Sequence, residues 1–346
     1  MIKVTFLFGA GASASVLPTV KQFPSRLKDF EKAVAAFEVN SNDSSTKSKL
    51  LADIGWLFDS IAFEKEDGEI VATQLSVDTF AKILYLKGQA EDLRRLKVIL
   101  ILFFTFEQIS RGYDPRYTHF FASLLKKTVN QLPKAVRIIS WNYDSQFELS
   151  YQNYTNDMSI KANRDALGIV TKNVFRRINS TSAETRMPTD RFSIYKINGT
   201  CSFYHSRLGS EEIPLETKLT LKENLINWYS GSMKKDGFLE PAISFAWEDE
   251  EQSVNGTTLE QTLEAVAGSE ILVIIGYSIP YFNRDVDQRI LGSLANLNKI
   301  YIQDKDPEEV KARLAELLPN VEQIAIGLKS NIDQFFLPTE LRNDYL

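Results

Sequence analysis

Val4, Thr5, Phe6, Leu7 and Phe8 follow one another with almost no polar alternation, the pattern of a central strand in a parallel sheet covered on both faces. Further β-rich runs lie at 136–140, 192–197, 271–275 and 299–302, with shorter candidates at 219–221 and 242–245. Between them the period changes. Leu27, Phe30, Val34 and Phe37 share one helical face, predicting a helix from Ser25 after Pro18 and Pro24 have prevented an uninterrupted one. The polar stretch 41–48 reads as a surface loop, and Leu50, Ile54, Leu57 and Ile61 resume the helical period. Asp78 is placed to cap a helix carrying Phe80, Ile83 and Leu84. Residues 93–109 read as a helix apolar over much of its surface. Helices are also predicted over 145–151, 257–267 and 284–295, and Pro307 opens another as a proline at a first helical position does.

The alternation of strand and helix after residue 257 predicts an α/β fold: a Rossmann-like, mostly parallel sheet with a helical insertion. The expected core comprises 1–24 and 133–325, with an irregular insert at about 153–235 that is polar over 153–190 and exposed at 179–182. Residues 25–132 form the insertion, and 326–346 a C-terminal helix and tail. There is no internal repeat.

At 346 residues and 44% hydrophobic, the chain is long enough for one large or two ordinary domains with a sizeable core. A net charge of -5 without a dense basic run gives no reason to expect nucleic acid. Cys201 is the only cysteine, which excludes an internal disulfide and a cysteine-based zinc ribbon and fits a reducing, cytoplasmic setting. The apolar run 98–106 is roughly half of what a bilayer crossing requires. No membrane span and no metal site are expected.

Chemistry gathers where strands stop. Gly9, Gly11 and Ala14 follow the first strand with the spacing of the dinucleotide-binding glycine fingerprint. They read as a phosphate cradle or as a tight strand-to-helix turn. Asn142 and Asp144 follow the strand 136–140, at the edge where open α/β sheets bind ligands, and either serve a ligand there or cap the next helix. Asn198, Gly199 and Thr200 end the strand 192–197; Gly276, Tyr277 and Ser278 end 271–275; Gln303 and Asp304 end 299–302. A dehydrogenase places an acidic residue at the end of a second strand some 20 residues past the glycines. Here Asp29 and Glu31 fall on a predicted helix, which argues against hydride transfer.

In order and content these turns resemble the sirtuin-like domains of bacterial antiphage defence proteins, which hydrolyse NAD. The resemblance runs from Val4 to about Leu317. Gly9-Ala-Gly-Ala-Ser13 looks like the family's first motif, Ser140-Trp-Asn-Tyr-Asp144 its threonine-x-Asn-x-Asp motif, and Gly276-Tyr-Ser278 with Pro280 and Asp285 its late glycine motif. The segment from Asp78 to Lys82 is similar to part of the family's helical insertion. By resemblance Gly9, Ala10, Gly11 and Ser13 hold the diphosphate, and Thr19 and Gly199 belong to the binding surface. Asn142 sits at the nicotinamide ribose and Asp144 faces the nicotinamide amide. Gly276, Tyr277, Ser278 and Asp285 belong to the ribose or phosphate contacts, and Gln303 meets the adenosine end.

One position departs from the family. Asn198 stands where the family has a histidine before glycine, the expected base at the ribose hydroxyls, and asparagine accepts no proton at neutral pH. The two histidines, His119 and His205, read as ordinary surface or core residues. Nicotinamide leaves a cationic pyridinium as a neutral molecule, so the cleavage needs little proton help. The resemblance therefore implies an NAD+ glycohydrolase acting in antiphage defence, with catalysis assigned to Asn142, Asp144 and Asn198 and NAD as substrate. The alternative is a non-catalytic subunit that binds NAD or ADP-ribose. Protein deacylation is weakened by the missing zinc-binding cysteines of that class. The resemblance also implies a homo-oligomer or a separate ATPase or sensor subunit.

Overall fold

The computed structural model describes residues 2–73, 76–126, 128–129, 131–155, 160–171, 189–205, 221–234, 237–251, 258–318 and 320–343. Strands among them are β1 (Val4–Phe8), β2 (Ala62–Glu64), β3 (Ile70–Ala72), β4 (Val136–Ser140), β5 (Ile169–Val170), β6 (Ser193–Lys196), β7 (Gly199–His205), β8 (Leu239–Ile243), β9 (Ile271–Ile275), β10 (Lys299–Gln303) and β11 (Ala325–Lys329). The chain divides into two compact units. One comprises Met1–Ser13, Tyr113–Thr200 and Ser244–Leu346, the other Ala14–Gly112 and Cys201–Ile243.

The first unit is built on a seven-stranded sheet in the order β11-β10-β9-β1-β4-β6-β5. Every pairing in it is parallel, with Val4 opposite both Val136 and Ile271. This is the α/β, Rossmann-like architecture expected from the sequence. Successive side chains on a strand point to opposite faces, and both faces here are apolar. Phe6, Phe8, Ile138 and Val273 pack with Tyr117, Phe120 and Phe147 of the helices Pro115–Leu124 and Gln146–Tyr151. Leu7, Ile139, Leu272 and Ile274 pack on the opposite face with Leu259, Val286, Ile290 and Leu314. These belong to the helices Thr258–Val266, Arg284–Ser293 and Pro307–Ala315. Burial on both faces accounts for the nearly all-apolar run of β1 and the unbroken one of β9.

The second unit is mainly helical. Its helices are Phe23–Ala35, Ser44–Ile61, Val77–Leu86, Ala90–Arg111 and Leu221–Met233, accompanied by the antiparallel β2–β3 hairpin and by β8 paired with β7. The long helix Ala90–Arg111 is buried through most of its middle, where Phe103 meets Phe23 and Phe30 of the first helix.

Several sequence expectations shift. The first helix begins at Phe23, with Pro24 inside its opening turn where the missing amide costs nothing. Part of the expected 41–48 loop is helical, because the helix starts at Ser44; its serines and threonine hide the N-terminus of a helix held by Leu50, Ile54 and Leu57. Ser76, not Asp78, caps the helix Val77–Leu86, its hydroxyl accepting from the Thr79 amide. The 153–190 stretch contains the helix Ile160–Ala166 and the strand β5. Of the 219–221 strand candidate only Leu221 is described, and it is helical. The 242–245 candidate lies earlier, as β8. The expected 179–182 loop lies outside the described residues.

Candidate functional site

Sheet order reverses at β1: the chain passes from β1 to β4 on one side and later returns to β9 on the other. Such a switch point is where open α/β sheets form a ligand crevice outside their carboxyl ends. The turns that follow β1, β4 and β9 meet there. Trp141 stacks on Tyr277 with ring centroids 5.5 Å apart and planes 12° from parallel. Asn142 Nδ2 donates to the Gly9 carbonyl at 2.9 Å.

The glycines are explained by backbone packing. The Gly11 amide donates to the Gly276 carbonyl at 2.9 Å, and the Gly276 amide to the Gln303 carbonyl at 2.9 Å. A Cβ on Gly276, whose φ is +58°, would lie 2.4 Å from the Ala12 nitrogen, and one on Gly11 would lie 2.9 Å from the Gly276 Cα. The Gly11 amide is thus engaged by protein rather than presented to an anion. Ala10, at the head of the short 3-10 turn Ala10–Ser13, is exposed.

Beneath this turn lies a buried polar network. The Ser13 hydroxyl donates to Asp144 Oδ2 at 2.8 Å, lies 2.8 Å from the Tyr117 hydroxyl and receives Asn142 Nδ2 at 3.4 Å. Its proton goes to Asp144, so Tyr117 is the donor in their pair, and the hydroxyl is fully used. The other Asp144 oxygen accepts from the Gln146 amide at 3.1 Å. Burial pushes the Asp144 carboxyl up, opposed first by the Lys196 charge. Lys196, itself buried, donates at 2.6 Å to both the Asp144 carbonyl and Glu148 Oε1. Burial also disfavours a charged Glu148, but Lys196 and Arg164 outweigh it and hold that carboxyl below its ordinary range. Burial, and then the Asp144 charge, push the Tyr117 phenol well up and keep it a donor.

Arg116 braces the turn from another side. Its guanidinium donates to the Ala12 carbonyl at 2.9 Å while gripping both oxygens of Asp114, Oδ1 at 3.1 Å and Oδ2 at 2.6 Å. The Asp114 amide in turn donates to Gln146 Oε1 at 2.7 Å. Ala12, Arg116, Asp114, Gln146, Asp144 and Ser13 thereby close a ring that locks the first turn to the end of β4.

The asparagine and glutamine positions divide sharply. Asn142 is half-buried with its amino group turned inward, and no described group donates to its Oδ1. Asn198 is buried; Nδ2 donates to the Trp141 carbonyl and Oδ1 accepts from the Ala246 amide, each at 3.0 Å. Gln303 is buried, with Nε2 donating to the Asn331 and Gln334 carbonyls and Oε1 accepting from the Phe336 amide. Both ends of the Asn198 amide are thus engaged by backbone, and Gln303 keeps no amino proton for a ligand in this arrangement.

Tyr277 is anchored from behind: its hydroxyl donates to Asp287 Oδ2 at 2.8 Å and accepts from Asn283 Nδ2 at 3.1 Å. Burial pushes the Asp287 carboxyl up to about 7, against hydrogen bonding from Tyr277. Gly199 has φ +73°, while Ser278 and Asp285 are exposed. Thr19 belongs to the second unit, where its amide and hydroxyl both donate to Gln22. His119 is exposed on its helix, and His205 is half-buried in the second unit with its ring 4.7 Å from that of Phe238. Among the described residues no group of three or more His, Cys, Asp or Glu side chains is placed to hold a metal. No described helix is long and apolar enough to cross a membrane.

Tyr117, Arg116, Glu148 and Lys196 were not anticipated as part of this site. Two signals were present: Asp114 before Pro115 marks a helix start, and Lys196 is a charge inside an otherwise apolar strand.

No protein-family model matches the chain, and no curated protein matches it. Similar solved structures include Sir2 bound to acetylated peptide, at 10% identity and a TM-score of 0.42, covering 96% of this chain and 88% of that one. Another is Sir2 with p53 peptide and NAD+, at 9% identity and a TM-score of 0.41, covering 99% and 91%. A third is Sir2Tm bound to a propionylated peptide, at 10% identity and a TM-score of 0.39, covering 95% and 87%.

Proposed function

We propose that the chain is an NAD+ glycohydrolase that uses water to release nicotinamide, ADP-ribose and a proton. The observation that carries this reading is the meeting of the Gly9, Asn142 and Tyr277 turns at the switch point, together with the outward acceptor of Asn142. A ligand group facing Oδ1 must be a donor: a ribose hydroxyl or the attacking water fits, and a phosphate oxygen does not. The glycosidic electron pair goes to the pyridinium nitrogen and the water oxygen bonds to the ribose carbon. Asn142 orients the hydroxyl or water, and Asp144 acts at one remove by holding Ser13. Positioning of this kind supplies as much as roughly 7–11 kcal/mol of barrier reduction in favourable cases, so the lack of a base at Asn198 slows turnover without forbidding it.

Following nicotinamide release from NAD by the purified chain tests the reading. Asn142→Ala is expected to lower the rate by about a hundredfold, and an equally active variant would remove the site assignment. By the resemblance of its motifs, the proposal extends to an effector role in antiphage defence, in a homo-oligomer or beside an ATPase or sensor subunit. Nicotinamide release after co-expression with the genomic neighbour tests that extension.

The pairing of both ends of the Asn198 amide with backbone favours a second reading, a subunit that binds NAD or ADP-ribose without cleaving it. Saturable binding with no nicotinamide released, alone or with a partner, would select it.

A further inference from the structure

The expected adenosine contact, Gln303, is occupied by the chain's own C-terminal segment. β11 runs parallel to β10, so the chain leaves β11 at the same carboxyl edge that carries the candidate site. Gln303 Nε2 donates to the Asn331 carbonyl at 2.6 Å and the Gln334 carbonyl at 2.7 Å, while Oε1 accepts from the Phe336 amide at 2.9 Å. Both amino protons are used.

The far side of the segment is fastened to the first turn. Arg116 donates to the Ile332 carbonyl at 3.1 Å with the same guanidinium that grips Ala12, and it lies 5.1 Å from the centre of the Phe335 ring. Phe335 is buried edge-on against Phe8 and Tyr117, with centroids 5.2 and 5.0 Å apart. From β11 to β1 is three strand spacings, roughly 14 Å, within the reach of six extended residues at roughly 20 Å. Residues 331–336 thus tie the ends of β10 and β1 together.

We propose that residues 331–336 are a specificity-determining strap, latched by Gln303, which excludes the adenosine half of a dinucleotide until it is released. The proposal rests on the nucleotide reading of the site. Closed, the strap leaves the Asn142 end able to take a nicotinamide mononucleotide. A ligand that requires the open form binds more weakly by the fraction of molecules that are open.

Gln303→Glu tests this with little change of volume, since a carboxylate cannot donate to the Asn331 and Gln334 carbonyls. Hydrogen exchange at the Phe336 amide and binding of NAD and nicotinamide mononucleotide are compared with the wild type. Phe335→Leu, which removes the ring but keeps the site apolar, provides a second release variant if the first does not fold. Faster Phe336 exchange with about tenfold tighter NAD binding and mononucleotide binding within twofold would support the strap. Faster exchange with NAD binding unchanged or weakened, while the mononucleotide still binds, would overturn it, as would unchanged exchange in both variants. If neither nucleotide binds the wild type or either variant, the nucleotide reading itself falls and takes the strap with it.

Discussion

Asn142 and Gln303 are both amides just beyond or at the ends of parallel strands on one edge of a sheet, yet they face opposite ways chemically. Asn142 has its donors drawn inward by Gly9 and Ser13 and leaves an acceptor outward, whereas Gln303 gives both donors and its acceptor to residues 331–336. Position at the carboxyl edge is therefore insufficient to identify a ligand contact. What decides the matter is which hydrogen-bonding groups remain after the protein has satisfied its own backbone.

The largest test of this contrast removes the charge beneath the Asn142 end. Lys196→Met leaves Glu148 and the Asp144 carbonyl without a buried ammonium and should cost about 3–5 kcal/mol of unfolding free energy in urea. Adding Glu148→Leu should recover part of that loss, because the buried carboxylate that has lost its ammonium goes with it, though Arg164 then loses the partner it meets at 3.2 Å. The Gln303 amide, by contrast, is held by three bonds to neutral backbone groups.

Gly276 joins the two ends, accepting from Gly11 and donating to the Gln303 carbonyl. Gly276→Ala combines a strained left-handed residue with a Cβ against the Ala12 nitrogen, and should cost about 2–4 kcal/mol. Loss of stability without loss of Phe336 protection would show that the ends are less tightly joined than the bonds imply.

A smaller effect concerns Asp287, which holds Tyr277 from behind. Its folded pKa of about 7 lies above the ordinary carboxyl value, so the native state binds the extra proton. That contribution to stability is full at low pH, below the unfolded pKa, and is lost as pH rises towards and through about 7. Asp287→Asn should flatten the fall in melting temperature between about pH 5 and 8.

The strands most legible in the sequence were those buried on both faces: β1, β4 and β9 are short runs rich in Val, Ile, Leu and Phe because helices cover them twice. β5 and β11 were missed for opposite reasons. The first has only two residues, and the second is an edge strand containing Gly327 and Lys329 that carries little periodic signal. Within the site, the glycines and Asn142 stood out by spacing, but Arg116 and Tyr117 did not, because their meaning depends on a helix packing back onto a turn more than a hundred residues earlier. Gln303 and Asn198 looked available because a sequence does not reveal which backbone groups will claim an amide side chain.

β1 precedes the other six strands of its sheet in the chain and is the middle strand of that sheet, its Val4 opposite Val136 on one side and Ile271 on the other. During synthesis its greasy backbone ribbon leaves the ribosome long before its second neighbour exists, a delay characteristic of parallel pairings distant in sequence.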